Sequence, residues 1–308
     1  MIALPSEKGA STRLIDVRSP GGPLPTSPFK LNNSLADHPL FETDRIKRLL
    51  CAVPRKYVEI RAVQSVDTND GSYKQGALLT DVDPVDTFER LEERPRWMLI
   101  HESWVYDKDY EQLLRDYLKC LTDELAELRP GISNIGCWMF LSSGKSVVHF
   151  HADPDQSFLN QVRGSKTVTV YPTAVLPEET VEKLVFTQRQ GQEYKQDYEK
   201  KAFQPIHLAP GESVFLPLYA PHRVTNDESI CVSWNVGFHT NKSNRRKTVH
   251  LVNWELRKLG VTPSPYNRIL LVDSLKVQMY LGIRIRDKIR HIIRTIKSKL
   301  GYPSESDW

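Results

Sequence analysis

Between Ile135 and Val236 the chain is a succession of short strand-like runs with no helix of ten to fifteen residues joining them. Gly136 to Leu141, Val147 to Asp153, Ser157 to Val162, Ser165 to Tyr171, Ile206 to Leu208, Ser213 to Leu216 and Ile230 to Val236 are divided by glycine, proline and polar turns. Parallel strands need long crossovers, usually helical, so this pattern excludes an alternating β-α-β fold and predicts an antiparallel sandwich or barrel. Arg163-Gly164 reads as the turn of a hairpin between the third and fourth runs. Residues 173–204 are charged, lack a long apolar run and read as an insertion, helical near Glu178 to Leu184.

Helices fall at the two ends of the chain, which gives a mainly β class with flanking helices. Residues 1–30 hold five prolines and three glycines and read as an extended N-terminal arm. Residues 31–130 form a helix-rich part with strands that extend the sheet. Its clearest helix runs from Asp107 to Leu128, where Leu113, Leu114, Tyr117, Leu118, Leu121 and Leu125 recur at helical spacing before Pro130-Gly131 stops it. Residues 131–240 form the strand-rich core with its insertion, and residues 241–308 a basic helical region. In that region 245–259 and 270–281 are predicted helices. Beyond them Ile283 to Leu300 carries seven Lys and Arg against the single acid Asp287, with an apolar stripe of Ile285, Ile289, Ile292, Ile293, Ile296 and Leu300.

The 308 residues carry a formal charge of +4, too small and too dispersed to imply a nucleic-acid partner. Cys51, Cys120, Cys137 and Cys231 are widely spaced and stand beside apolar residues, which suits buried free thiols better than a disulfide framework or a zinc knuckle. The first residues lack a basic start followed by an apolar run, and no apolar stretch reaches eighteen residues, so a cytoplasmic chain without a membrane span is expected.

The chemistry concentrates in Val147 to Tyr171, VVHFHADPDQSFLNQVRGSKTVTVY. His151 and Asp153 alternate, so one strand can aim both side chains to the same side of a sheet. With a distant histidine, His222 in LPLYAPHRV, they would make a two-histidine, one-carboxylate set that occupies one face of an octahedral metal and leaves the other open. His149 shares their spacing, so a more saturated set of His149, His151, Asp155 and His222 stands as an alternative. The plain alternatives are a pocket role for His149 and a local turn hydrogen bond between His151 and Asp153. Lys166 interrupts an apolar alternating strand; pointing inward it needs an anion, because an unpaired buried charge is costly.

His151-Ala152-Asp153, Phe158, Gln161, Gly164 and Lys166, followed by Pro210-Gly211-Glu212, Pro217 and Pro221-His222, resemble the core motif of JmjC-type Fe(II)- and 2-oxoglutarate-dependent oxygenases. The branch is the cupin-like one that contains the asparaginyl hydroxylase factor inhibiting HIF and bacterial relatives. The thirteen residues from Asp153 to Lys166 match that branch, and the likeness covers about a third of the chain. It implies a double-stranded β-helix, the cupin or jelly-roll core. It also implies Fe(II) on His151, Asp153 and His222, the distal carboxylate of 2-oxoglutarate on Lys166, and Asn235 beside that cosubstrate. The chain departs from the pattern at Ser157, where the family has asparagine, at Val148, where threonine is common, and at Asn160, where a small residue is common. Ser157 and Asn160 are therefore carried as cosubstrate-pocket positions, and Trp234 as packing.

The implied reaction oxidises 2-oxoglutarate to succinate and carbon dioxide with dioxygen and hydroxylates a small molecule or a polypeptide side chain. The rival reading is a cupin that is not an oxygenase, either a metal-free binding protein or a fully ligated isomerase. In the resembling hydroxylases C-terminal helices form a homodimer interface, and the isoleucine stripe suits that role. The basic face is also of a kind that meets anionic lipid or nucleic acid, readings disfavoured beside dimerisation. The 173–204 insertion, with Gln188, Arg189, Gln190, Tyr194 and Tyr198, is expected at the rim of the pocket or as its lid.

Overall fold

A computed structural model describes residues 14–16, 24–63, 76–125, 128–188, 191–282 and 284. The chain divides into two compact units, residues 1–176 with 188–241, and residues 177–187 with 242–308.

The first unit is built on two antiparallel sheets. The strands are β1 (Ile15–Asp16), β2 (Phe29–Asn33), β3 (Val58–Ala62), β4 (Arg96–His101), β5 (Ile132–Ser142), β6 (Val147–Ala152), β7 (Gln156–Arg163), β8 (Lys166–Val170), β9 (Ile206–Leu208), β10 (Glu212–Leu216), β11 (Pro221–Asn226) and β12 (Cys231–Thr240). The large sheet has the order β1-β2-β10-β7-β12-β5-β4-β3 and the small one β6-β11-β8-β9. Successive strands β5 to β8 pass back and forth between the sheets, as a double-stranded β-helix requires. This corrects the hairpin expected at Arg163-Gly164: β7 pairs with β10 and β12, while β8 pairs with β11 and β9. The turn is real, but it carries the chain across the sandwich. Gly164 makes it possible, because its φ is +68° and a Cβ would lie 2.3 Å from the Ile230 carbonyl oxygen.

Alternation along the strands splits the core in two. Leu159, Val168, Val170, Leu208, Val214, Leu216 and Val224 face one another between the sheets. Phe158, Val162, Phe215, Trp234, Val236 and Phe238 point the other way and join the N-terminal helices. Chief among these are α1 (Thr43–Ala52) and α4 (Lys108–Glu124), with the short α2 (Pro84–Glu89) and α3 (Ser103–Tyr106) between them. Asp107 caps α4 by accepting from the backbone N–H groups of Asp109 and Tyr110. Tyr110, Leu113, Leu114, Tyr117, Leu118 and Leu121 are all buried, and Tyr117 meets Trp234 edge to face at 5.2 Å. Six such side chains, at roughly 1.5–3 kcal/mol each, rival the about 5–15 kcal/mol that holds a typical domain. Removing α4 would therefore unfold the unit.

Two expectations change at the ends of this unit. Part of the presumed arm is sheet, since β2 pairs with β10 and β1 with β2. Cys51 is exposed, whereas the other three cysteines are buried as expected, and all four are free.

The second unit contains α5 (Glu178–Thr187), most of α6 (Asn241–Lys258) and a helical run over 270–282. Buried polar pairs link them. Arg257 Nε donates to Glu182, the backbone N–H of Tyr266 donates to Glu178 at 3.1 Å, and Lys276 Nζ donates to the Ser264 carbonyl at 2.6 Å. Ile283 and the basic stretch from Ile285 to Leu300 lie outside the described residues.

Candidate metal centre

Strand pairing brings the metal candidates together. β11 lies antiparallel to β6 with His222 directly opposite His151, and Asp153 stands just past the end of β6. One ligand atom from each of His151, Asp153 and His222 lies within 4.8 Å of the others. The two imidazoles are 4.1 Å apart between centroids, and His222 Nε2 is 3.8 Å from an Asp153 carboxylate oxygen.

The backbone sets which nitrogen faces the site. His151 Nδ1 lies 2.7 Å from the His149 carbonyl, and His222 Nδ1 lies 3.1 Å from the Ala220 carbonyl. A carbonyl only accepts, so each Nδ1 carries the proton and each Nε2 presents a lone pair, the form a metal takes. Burial, with His151 adding to it, lowers the His222 pKa to about 3 and keeps its imidazole neutral. Burial likewise raises the Asp153 carboxyl, against the opposing pull of His151.

The saturated alternative does not assemble. The register between β6 and β11 shifts between His222 and Val224, so His149 and Phe150 together oppose Arg223. The bulge breaks the spacing that made His149 look equivalent to His151, and His149 stands outside the ligand group. Asp155 is held elsewhere, 2.5 Å from Nε2 of the fully buried His239. That pair was not anticipated. Its one sequence signal is that His239 keeps the alternation of Asn235 and Gly237 on β12.

Lys166 is 4% exposed and shares the inward face of β8 with Val168 and Val170. No ion pair to a carboxylate is formed by it among the described residues, and burial lowers its pKa, with Cys231 nearby opposing. Ser157 pairs with Gly237, and Asn235 with Leu159, so both side chains take the inter-sheet face of the large sheet. Ser157 Oγ and Asn235 Oδ1 are buried without a hydrogen-bond partner. A buried ammonium, an idle hydroxyl and an idle amide oxygen fit a dicarboxylate between the sheets, and the His151, Asp153 and His222 donors fit a divalent metal. Gly136 and Gly237 face each other across β5 and β12, and the indole of Trp138 fills the hollow they leave. A Cβ would lie 2.2 Å from it at Gly136 and 2.7 Å at Gly237.

Asn160 is not part of this pocket. It lies on the opposite face of β7, where its Oδ1 accepts from Tyr117 and Ser213 and its Nδ2 donates to the Trp234 carbonyl. Trp234 is fully buried in the helix-facing core. Val148 packs between the sheets. In the first unit the described residues of the insertion run beside β6, next to the metal group. Tyr194 and Tyr198 pack on Phe150, and Tyr194 and Tyr171 both donate to Glu199, on the outer face of the small sheet. Gly191 bridges to the edge of β6 at His151; Arg189 and Gln190 lie outside the described residues.

A second grouping, Glu178, Glu182 and His250, also brings three donor atoms within 4.8 Å of one another. Its imidazole is already engaged: Nε2 accepts from Arg246 at 3.2 Å, which leaves Nδ1 protonated, 3.4 Å from Glu178. Arg257 pairs with Glu182, so one carboxylate of the grouping already has its counter-charge.

The fold and the facing histidines define a cupin. A model of the cupin-like domain family matches residues 62–244, more than half of the chain, and the chain belongs to that family. No curated protein sequence matches it. Among solved structures, that of Escherichia coli YcfD is similar at 18% identity and a TM-score of 0.46, over 84% of this chain and 64% of that one. The Escherichia coli ribosomal oxygenase YcfD in complex with cobalt and 2-oxoglutarate gives 18% and 0.45, over 84% and 63%. The dimethylsulfoniopropionate (DMSP) lyase DddQ of Ruegeria pomeroyi gives 12% and 0.24, over 34% and 38%. The chain thus spans less than two thirds of the YcfD chains it matches.

Proposed function

We propose that the chain is an Fe(II)- and 2-oxoglutarate-dependent oxygenase that hydroxylates a small molecule or a polypeptide side chain. The observation that carries this reading is a three-donor group on facing strands, in the same sandwich as a buried lysine that no carboxylate among the described residues neutralises. His151, Asp153 and His222 would hold the metal. Lys166 would neutralise the far carboxylate of 2-oxoglutarate, and Ser157 and Asn235 would orient it. When bound, iron and 2-oxoglutarate supply the redox chemistry, reducing dioxygen at the expense of the oxo acid, which leaves as succinate and carbon dioxide.

The chain's own contribution is geometric and electrostatic. The Ala220 and His149 carbonyls fix the two imidazoles in the tautomer that offers Nε2. The apolar side chains between the sheets keep water from Lys166, which strengthens its attraction for an anion. With Asp155 tied to His239 and His149 out of reach, three protein ligands leave coordination positions for cosubstrate and oxygen.

Calorimetry with Mn(II), which binds oxygen and nitrogen donors without turnover, tests the assignment. We expect 2-oxoglutarate to bind only with metal present. Lys166→Ala should weaken 2-oxoglutarate by about tenfold or more, roughly 1.4 kcal/mol or above, with Mn(II) affinity nearly unchanged. His222→Ala should lose the metal. Metal-independent binding of 2-oxoglutarate, or a Lys166→Ala variant that loses metal and cosubstrate equally, would contradict the reading.

A further inference from the structure

The pairing of β7 with β12 puts Ser157 opposite Gly237 and Gln156 opposite Phe238. One step further along the same register, just before β7 begins, Asp155 meets His239. Side chains alternate along a strand, so this pair takes the inter-sheet face that Ser157 and Asn235 occupy. His239 is fully buried, and a buried imidazole needs a polar partner. The partner it has is Asp155, whose carboxylate lies 2.5 Å from its Nε2.

Asp155 is not a neutral choice of partner. It stands two residues from Asp153, across the buried Pro154, in the three-residue crossover from β6 to β7. Burial raises the Asp153 carboxyl, and the charge of Asp155 adds to that effect, so the two carboxylates are close neighbours. Divalent metals that take oxygen donors bind carboxylates readily. A carboxylate left loose beside His151, Asp153 and His222 would therefore be a fourth protein ligand, competing for the positions a chelating cosubstrate needs. Any bonded pair could anchor the turn. This one also occupies the acceptor best placed to crowd the metal.

We propose that His239 is a positioning residue that withholds Asp155 from the metal, so that three protein ligands hold the ion and 2-oxoglutarate keeps its coordination positions. The inference rests on the function proposed above and adds to it a residue that touches neither metal nor cosubstrate.

Calorimetry tests it, with Mn(II) titrated into the metal-free chain and 2-oxoglutarate into the Mn(II)-loaded chain. His239→Leu releases Asp155. It should bind Mn(II) as tightly as the wild type or more tightly, and 2-oxoglutarate about tenfold or more weakly. His239→Gln keeps an N–H donor for Asp155 and should stay within about twofold of the wild type for both. The double variant Asp155→Ala/His239→Leu removes the competing carboxylate and should recover 2-oxoglutarate affinity to within about threefold. Should His239→Leu lose the near-ultraviolet dichroism of the wild type, the double variant decides alone, because it leaves no buried polar group of the pair unpartnered. A double variant as weak for 2-oxoglutarate as the single one, or a folded His239→Leu that keeps wild-type cosubstrate affinity or loses metal and cosubstrate together, would overturn the inference while the wild type still binds both. A wild type that binds no 2-oxoglutarate would overturn the oxygenase reading itself, and this inference with it.

Discussion

Single residues separate the pocket from its scaffold, and Asn160 shows how. Four hydrogen-bonding groups meet at its side chain in the core between β7 and α4. Asn160→Ala orphans buried donors and acceptors at about 1–3 kcal/mol each, so the urea midpoint should fall clearly while 2-oxoglutarate affinity stays within about twofold of the parent. A stable variant with weak cosubstrate binding would return Asn160 to the pocket. Tyr117→Phe is milder, because Ser213 still donates to Asn160, and about 1 kcal/mol is expected. At Gly136 an added methyl would meet the Trp138 indole. Gly136→Ala should shift the near-ultraviolet dichroism and cost about 1–3 kcal/mol, the usual range for overpacking. The clustering of His151, Asp153 and His222 was legible in the sequence because alternation and a proline-framed histidine mark them. The idleness of Ser157 Oγ and the capture of Asp155 by His239 were not, since both depend on what a neighbouring strand presents.

At the level of elements, periodicity found what is local and missed what is relational. The start of α4 followed from its apolar spacing, but the helix ends at Glu124, four residues before the expected Leu128. Asp107, its cap, also accepts from Arg45, so Asp107→Ala should cost about 1–2 kcal/mol in thermal unfolding, more than a cap alone in a peptide. The β7 and β8 runs were recognised, and so was the turn between them, but a tight turn reads as a hairpin whether or not its strands pair. Gly164→Ala tests the turn's true role. Strain at φ +68° and a clash with Ile230 should lower stability and, by shifting the start of β8, weaken 2-oxoglutarate through Lys166 more than metal. Equal weakening of both would mean that the turn supports the barrel only in bulk. The bulge in β6 is a further case: no residue between Val148 and His151 announces it, because it is set by the register of β11.

For the molecule as a whole, acid should loosen the second unit. Burial, reinforced by Arg246 and Lys276, holds the His250 pKa down at about 3. Between that value and the ordinary value near 6.5 the unfolded chain binds the proton that the folded one refuses. Stability from this group is therefore full above about pH 6.5 and falls as the pH drops toward 3. Chemical denaturation at pH 7 and pH 5 should show the loss, and His250→Gln should flatten it; an unchanged slope would remove His250 as its source. The first unit rests on a different claim, that its two sheets enclose one metal and one oxo acid together. The most direct measurement is an anaerobic titration of the metal-free chain with Fe(II) and 2-oxoglutarate, followed by visible absorption. A metal-to-ligand charge-transfer band should grow to one equivalent of iron, require both components, and be absent in His151→Ala and Asp153→Ala. No band in the wild type, or an undiminished band in either variant, would contradict the account.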